Sequence, residues 1–143
     1  SMLCIEDAID AMEWGKSLGG LTAMQARADA NFKVLSDWVA RTDWVDFLAK
    51  NPANRSNTSV CLSIVDPAVT ALDADKQAAF AKAIVARLDK AGVAYDIGAY
   101  KDAPSGLRIW AGSTVETSDL AALVPWLDFA FAEELSDLNK AAA

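Results

Sequence analysis

Residues 102–120 read DAPSGLRIWAGSTVETSDL and contain, in order, a turn, a short strand, a second turn and the start of a helix. The first turn is marked by Pro104-Ser105-Gly106, because proline fixes φ and glycine tolerates positive φ. The run Leu107–Ala111 alternates and therefore predicts a strand that carries Arg108 and Trp110 on the same face. We expect this rigid element between two turns to hold a single guanidinium in place.

Arg108 has two interpretations from the residues alone. It could be half of a structural ion pair with Asp96, which is expected on the same face of a neighbouring strand. It could also receive an anionic ligand, since a planar guanidinium held on a strand matches a carboxylate in shape and charge. Arg55, beside the predicted strand that contains Val60, and Lys101, in the turn before Arg108, are either solvated surface cations or further anion contacts.

Length, composition and charge limit the classes of protein to which this chain can belong. A length of 143 residues with 53% hydrophobic residues predicts one globular domain over residues 1–143. The net charge of −7 argues against a nucleic-acid partner or an anionic membrane surface. No apolar run approaches the roughly 18 residues that span a bilayer, and no signal peptide opens the chain. We expect a cytoplasmic protein, because its two cysteines are interpreted as reduced thiols rather than a disulfide.

The chain has no histidine, which excludes a Ser-His-Asp triad, a Cys-His pair and an HExxH zinc helix. Two cysteines without histidine also argue against a zinc site, so we predict no metal ligands. Cys4 and Cys61 lie in apolar surroundings and are expected to be buried, reduced thiols. The lysines fall on polar helix faces or in loops, where none has the desolvated setting of a Schiff-base lysine. The residues thus provide anion receptors and no catalytic group.

The hydrophobic periodicity predicts four helices and four strands. The helices are expected over residues 3–18, 22–41 and 73–91 and from residue 118 onward, and the strands over residues 43–48, 58–65, 93–98 and 107–111. Each clear strand alternates and so has one lightly covered face. This pattern favours an α+β fold, with a small, mostly antiparallel sheet and helices packed on one of its faces.

Three local features make sharper predictions. Thr22 and Gln25 fit a capping box, so Thr22 is expected to cap the second helix. Pro125 lies inside the last helix and is expected either to kink it or to start a new helix. The strand over residues 93–98 is expected to turn Tyr95 inward.

Several blocks of the sequence resemble the phosphoserine aminotransferase family. The longest are RSNTSVCL at residues 55–62, GVAYDIGAY at 92–100 and APSGLRIW at 103–110, with shorter ones at 5–7, 19–21 and 123–127. The resemblance covers nearly the whole chain but only the C-terminal small domain of that enzyme. It implies a piece of a longer protein, in which residues 1–20 lead in from a missing large domain. A domain that packs on a larger one exposes apolar surface, which we expect at the first helix and Trp14.

The resemblance implies a homodimeric, fold-type I, class V transaminase that uses pyridoxal 5′-phosphate and serves serine biosynthesis. Such enzymes transfer the amino group of L-glutamate to 3-phosphooxypyruvate, which gives 2-oxoglutarate and O-phospho-L-serine. The Schiff-base lysine and most cofactor contacts belong to the large domain of the family. This piece is therefore expected to contain no catalytic residue, to bind no cofactor and to be inactive alone.

The resemblance also implies roles for individual residues. Arg108 is the arginine of the family's Gly-x-Arg block, which binds the substrate α-carboxylate. Many members hold the substrate phosphate with a His-Arg pair just before that block, whereas this chain has Tyr100-Lys101-Asp102. Lys101 is then the expected phosphate contact, and Arg55 is a further substrate-binding candidate. Because the phosphate subsite departs from the family pattern, a serine- or alanine-glyoxylate transaminase remains an alternative, as does a free-standing α+β module that binds an acidic metabolite.

Overall fold

The computed structural model describes the backbone of residues 1–142 and the side chains of residues 1–140. The elements run in the order α1 (Met2–Ser17), α2 (Gly20–Val39), β1 (Val45–Phe47), a 3-10 turn (Pro52–Asn54), β2 (Ser59–Ile64), α3 (Pro67–Thr70), α4 (Ala74–Lys90), β3 (Leu107–Trp110) and α5 (Thr117–Ala142). Within these residues, no helix is both long and apolar enough to cross a bilayer.

The strands form one antiparallel sheet in the order β1-β2-β3. Val45 pairs with Ile64 between β1 and β2, and Cys61 pairs with Arg108 between β2 and β3. Burial alternates along β2 and β3 with a period of two, so one face of the sheet is buried and the other is only partly covered. The predicted α+β class with an antiparallel sheet is confirmed.

The buried face of the sheet packs with α2, α4 and α5 into one hydrophobic core. Its largest fully buried side chains are Leu35 and Trp38 in α2, Val60 and Leu62 in β2, Val69 in α3, Ile84 and Leu88 in α4, Leu107 and Ile109 in β3, and Leu127 in α5. Phe80, Ile84 and Leu88 recur every four residues along α4, which is the helical spacing expected from the sequence. The opposite face of the sheet carries Arg108.

The turn between the first two helices differs from the prediction. Gly19 has a left-handed φ of 112° and is the N-cap of α2, so the helix begins at Gly20. Thr22 therefore lies within the helix, and the prediction that it caps the helix was wrong. The physical reason is the freedom of glycine at positive φ, which lets the chain leave α1 and begin α2 within two residues.

Pro125 does not divide the last helix, because α5 is a single helix from Thr117 to Ala142. The missing N–H of Pro125 leaves the carbonyl of Ala121 without its helical donor. Both residues are exposed, so water can reach that carbonyl. A proline on the solvent side of the helix is therefore tolerated here.

Residues 93–98 do not form the predicted strand. Asp96 has φ 53°, which interrupts extended backbone, and Tyr95 is 69% exposed rather than inward. Only Gly98 forms an isolated bridge, to Leu107. The segment still covers the outer edge of β3, because Ile97 O accepts from the backbone N–H of Arg108 at 2.8 Å.

The helix α1 packs weakly on the rest of the chain, since Gly15 is its only buried residue. Its exposed apolar side chains are Met2, Leu3, Ile5, Ile9, Met12 and Trp14, with exposures between 38% and 80%. The expectation of apolar exposure at the first helix is confirmed. Cys4 shares that exposure and Cys61 is half-buried on the partly covered sheet face, so both thiols are free as predicted, but neither is buried.

Candidate functional site

Arg108 lies on β3 directly opposite Cys61, on the partly covered face of the sheet. The turn before β3 brings the two strands unusually close at Gly106, where an added Cβ would lie 2.1 Å from the carbonyl oxygen of Leu62. Only glycine fits there without displacing the backbone of β2. The backbone around Arg108 is thus fixed on one edge by β2 and on the other by Ile97.

The guanidinium of Arg108 is only partly paired. Its Nη2 donates to Asp96 Oδ2 at 3.2 Å, and the side chain of Asp96 is 91% exposed. Its Nε is buried and has no hydrogen-bond partner. The Tyr100 ring lies 5.8 Å from the guanidinium carbon. The structure therefore confirms the expected ion pair and also shows a donor in the same guanidinium that remains unsatisfied, which is costly in a folded protein.

A cavity of about 430 Å³ opens at this guanidinium. Its polar and aromatic lining consists of Ser59, Tyr95, Asp96, Arg108, Trp110 and Asp119. Arg108 is the one cationic residue of this lining, whereas a nucleophile paired with a base is not found in it. The cavity can therefore bind and orient a carboxylate, but it offers no group for covalent chemistry.

Trp110 forms an exposed wall of the cavity and lies across the backbone of Gly112. An added Cβ at residue 112 would lie 2.4 Å from the Trp110 ring, and the indole N–H donates to Thr114 Oγ1 at 3.3 Å. Glycine at this position is what lets the large ring fold back over the chain.

The loop after β3 is fixed by two polar side chains of α2 that the sequence analysis did not single out. Buried Asn31 Nδ2 faces the carbonyl oxygens of Ala111, Gly112 and Val115 at 3.2, 3.1 and 2.9 Å. Arg27 Nε donates to Ser113 O at 2.8 Å. The sequence does contain a signal for Asn31, which is a polar residue within the apolar stripe of α2. Ala28, Asn31 and Leu35 share that face of the helix.

Lys101 lines a different cavity from Arg108. This neighbouring cavity has a volume of about 620 Å³ and lies between α4 and the loop before β3, with Lys82, Tyr100 and Ser105 also in its lining. Lys101 is exposed. The two cavities border successive parts of one segment, since Tyr95–Ile97 line the first and Gly98–Lys101 line the second.

The guanidinium of Arg55 contacts nearby backbone carbonyls and an aromatic ring. Its Nε and Nη2 donate to the carbonyl oxygens of Ala49 and Lys50 at 3.0 and 3.3 Å. The guanidinium carbon also lies 4.1 Å from the centre of the Phe47 ring. These contacts fix the loop between β1 and β2, and the structure places Arg55 in neither cavity described above.

Groups with shifted pKa values lie outside the Arg108 cavity. The hydrogen bond from Lys50 lowers the pKa of Asp46, and the hydrogen bond to Glu134 raises the pKa of Arg87. Arg87 joins α4 to α5, so its shift reflects structural ion pairing. Among the residues that the structure describes, no group of three or more His, Cys, Asp or Glu side chains could hold a metal ion.

Comparisons with known proteins support the sequence resemblance. No model of a protein family matches the chain. The phosphoserine aminotransferase of Methanosarcina barkeri is 41% identical over 131 residues, which are 92% of this chain and 33% of that protein. That of Methanosarcina mazei is 40% identical over 131 residues, with the same two shares. The chain therefore spans about a third of the length of the curated relatives it matches.

Solved structures share the fold. A structure described as "Radiation damage of the Schiff base in phosphoserine aminotransferase" matches this chain with a TM-score of 0.65 at 15% identity. The match covers 85% of this chain and 30% of that chain. Phosphoserine aminotransferase from Bacillus circulans subsp. alkalophilus matches with a TM-score of 0.67 at the same identity and shares. At this identity the likeness shows the fold alone. Together with the curated relatives, it confirms that the chain resembles part of a phosphoserine aminotransferase.

Proposed function

We infer that the chain is the C-terminal, substrate-orienting domain of a phosphoserine aminotransferase, in which Arg108 binds the α-carboxylate of the substrate. The curated relatives support the family part of this inference, and the observation that carries the role of Arg108 is its guanidinium, which lines a cavity and keeps a buried Nε without a partner. A guanidinium fork binds a carboxylate through two parallel hydrogen bonds. Such a clamp fixes the position and rotation of the substrate, so that its reacting atoms meet the cofactor in one geometry.

The cofactor has no covalent anchor among the described residues. Pyridoxal 5′-phosphate supplies the electron sink for amino-group transfer when it is bound. All eight lysines of the chain are exposed, whereas a Schiff-base lysine needs a desolvated pocket. The residues present therefore do not fit that role. We place the lysine in the other two thirds of a homodimeric, cytoplasmic parent enzyme of serine biosynthesis, and this chain alone is then inactive.

The test of the Arg108 assignment is kinetic and uses the full-length parent enzyme. We expect Arg108→Ala to raise KM for the amino donor and the amino acceptor alike, by about 10- to 100-fold, because each loses charged hydrogen bonds. Arg108→Lys keeps the charge but not the fork, so it should recover little of the loss. The control is Arg41→Ala, which changes an exposed arginine in the turn after α2. An unchanged KM for both substrates in Arg108→Ala would refute the assignment.

Lys101 is our proposed contact for the substrate phosphate. The support is its place in the segment 95–101, whose first part lines the Arg108 cavity and whose second part lines the neighbouring one. We expect one substrate to place its carboxylate at Arg108 and its phosphate at Lys101. Lys101→Ala should then raise KM for the phosphorylated substrate and leave KM for glutamate unchanged. Lys82→Ala is the matched comparison, because Lys82 lines the same cavity from α4. If only Lys82→Ala raised KM for the phosphorylated substrate, Lys82 and not Lys101 would be the phosphate contact.

The exposed face of α1 is where we propose that the rest of the parent enzyme packs. Met2, Ile5, Ile9 and Met12 are spaced by three or four residues and form an uncovered apolar stripe. Without its cover, the 143-residue chain should self-associate in sedimentation experiments. Replacing Ile5 and Ile9 with lysine should restore the monomer, whereas Glu6→Lys, which alters charge but keeps the stripe, should not. A chain that is monomeric at high concentration would contradict this assignment.

A further inference from the structure

The ion pair between Asp96 and Arg108 uses only part of what the guanidinium offers. The Nε and Nη2 atoms of an arginine present parallel N–H bonds along one edge, which is the edge that binds a carboxylate through two hydrogen bonds. Asp96 Oδ2 accepts from Nη2 at 3.2 Å, whereas Nε stays buried and without a partner. Asp96 therefore makes one hydrogen bond to an edge of the guanidinium that can donate two.

Asp96 is held so that it can leave the guanidinium at little cost. Its carboxylate is 91% exposed, so water can solvate it when the bond breaks. Its backbone has φ 53°, a left-handed conformation that is uncommon outside glycine. The next residue, Ile97, anchors this segment, because its carbonyl accepts from the Arg108 N–H at 2.8 Å. The bond that anchors the segment therefore does not involve the Asp96 side chain, whose only hydrogen bond among the described residues is the one to Arg108.

We propose that Asp96 is an internal competitor that occupies Arg108 in the free protein and is displaced by the carboxylate of the substrate. This proposal rests on the proposed function of Arg108 as the carboxylate receptor. An incoming carboxylate takes both Nη2 and the unsatisfied Nε, and Asp96 returns to water. Displacement of Asp96 replaces one hydrogen bond of Arg108 by two. It therefore favours ligands whose carboxylate can accept from both Nη2 and Nε.

The competitor makes the site selective. Asp96 already neutralises part of the Arg108 charge, so an anion that makes only one hydrogen bond gains little by replacing it. A carboxylate that reaches Nε as well gains the bond that Asp96 leaves unmade. Asp96 therefore lowers the affinity of the site for all anions and lowers it most for those that cannot bind in the two-bond mode.

The test is Asp96→Asn in the full-length enzyme, because asparagine tolerates left-handed φ and removes only the charge. We expect KM for glutamate and for the phosphorylated substrate to fall about two- to five-fold with kcat nearly unchanged, which corresponds to the strength of an exposed ion pair. Chloride should also become a stronger competitive inhibitor. Asp96→Gly, which suits the same φ, should give the same fall in KM if asparagine disturbs folding.

Two controls separate competition from a structural role. Asp119→Asn removes a carboxylate from the rim of the same cavity, away from the guanidinium bond, and should change KM less. In an Arg108→Ala background, Asp96→Asn should have no effect on KM. A rise or no change in KM for Asp96→Asn, or a fall that persists without Arg108, would overturn the proposal. If Arg108→Ala raises KM while Asp96→Asn changes nothing, competition fails and the proposed function stands; an unchanged KM in Arg108→Ala overturns both.

Discussion

Asn31 is a polar residue that the fold buries completely, and replacing it should be among the most damaging changes outside the hydrophobic core. It is 0% exposed, and its two Nδ2 hydrogens serve three carbonyl oxygens at 2.9 to 3.2 Å. Its Oδ1 accepts from Thr117 Oγ1 at 2.7 Å. Asn31→Leu keeps a side chain of similar size but removes every one of these bonds. The carbonyls of Ala111 and Gly112, both in buried residues, then lose their donor.

The magnitude follows from those two carbonyls. A buried polar group left without a partner costs about 1–3 kcal/mol, so the variant should lose about 3–4 kcal/mol of unfolding free energy. For a chain of 143 residues the entropy of unfolding is about 0.3 kcal/mol/K, so the melting temperature should fall by about 10 °C. That is a large share of the total stability, since small domains unfold with about 5–15 kcal/mol.

Thermal unfolding followed by far-UV circular dichroism measures this loss. Asn31→Asp is the isosteric comparison: it keeps the volume but turns an acceptor toward the same carbonyl oxygens, so it should also be strongly destabilised. Asn139→Ala is the control, because Asn139 is an exposed asparagine on α5. If Asn31→Leu melts within about 2 °C of the unchanged chain, the reasoning that these hydrogen bonds fix the loop is refuted, since such a shift is worth less than about 1 kcal/mol.

Three further predictions concern single contacts. Gly106→Ala should cost about 1–3 kcal/mol of unfolding free energy, because its Cβ would lie 2.1 Å from Leu62 O and force β3 away from β2. Asp128→Ala should cost about 1–3 kcal/mol, because Asp128 Oδ1 accepts from two indole N–H groups at 3.0 Å, whereas Asp128→Asn keeps an acceptor and should cost less. Lys50→Met should move acid unfolding to higher pH. Lys50 lowers the pKa of Asp46 below its ordinary 3.8, so the pair stabilises the fold above that pH and the stabilisation is lost as pH falls through the folded pKa.

Each of these three has a clear contrary outcome in the same unfolding assays. A Gly106→Ala chain with unchanged stability would mean that the close approach of β2 and β3 is not needed. Equal stabilities of Asp128→Ala and Asp128→Asn would mean that the accepting oxygen contributes nothing. An acid midpoint that stays in place in Lys50→Met would mean that the pKa of Asp46 does not depend on that lysine.

The regular parts of the fold could be predicted from sequence because local periodicity determines them. The stripe of α4 and the alternation of β2 both appeared as expected, since each element buries one face against the same core. The segment 93–98 was misassigned because it also alternates in polarity, yet Asp96 adopts a positive φ that no pattern of polarity reveals. Tyr95 is consequently exposed.

The site could be predicted only in part. Arg108 stood out because a charge on a short strand between turns is unusual, and its ion pair with Asp96 was one of two expected outcomes. The contribution of Asn31 could not be seen, because its partners lie 80 or more residues away along the chain. Contacts at that separation depend on how the helices pack on the sheet, which local patterns do not determine.

Arg55, Lys101 and Arg108 differ mainly in the contacts that each already makes. Those contacts rank the three residues as binding sites for an anionic ligand. Arg55 has two nitrogens donating to carbonyls and an aromatic ring under its guanidinium, so a ligand would have to break existing contacts. Lys101 is exposed, so a ligand would compete with water for a strongly hydrated ammonium. Of the three, only Arg108 has a buried nitrogen, Nε, without a hydrogen-bond partner among the described residues. A carboxylate there can add a bond to Nε and has to break only the single bond from Nη2 to exposed Asp96, which is why the carboxylate assignment rests on Arg108.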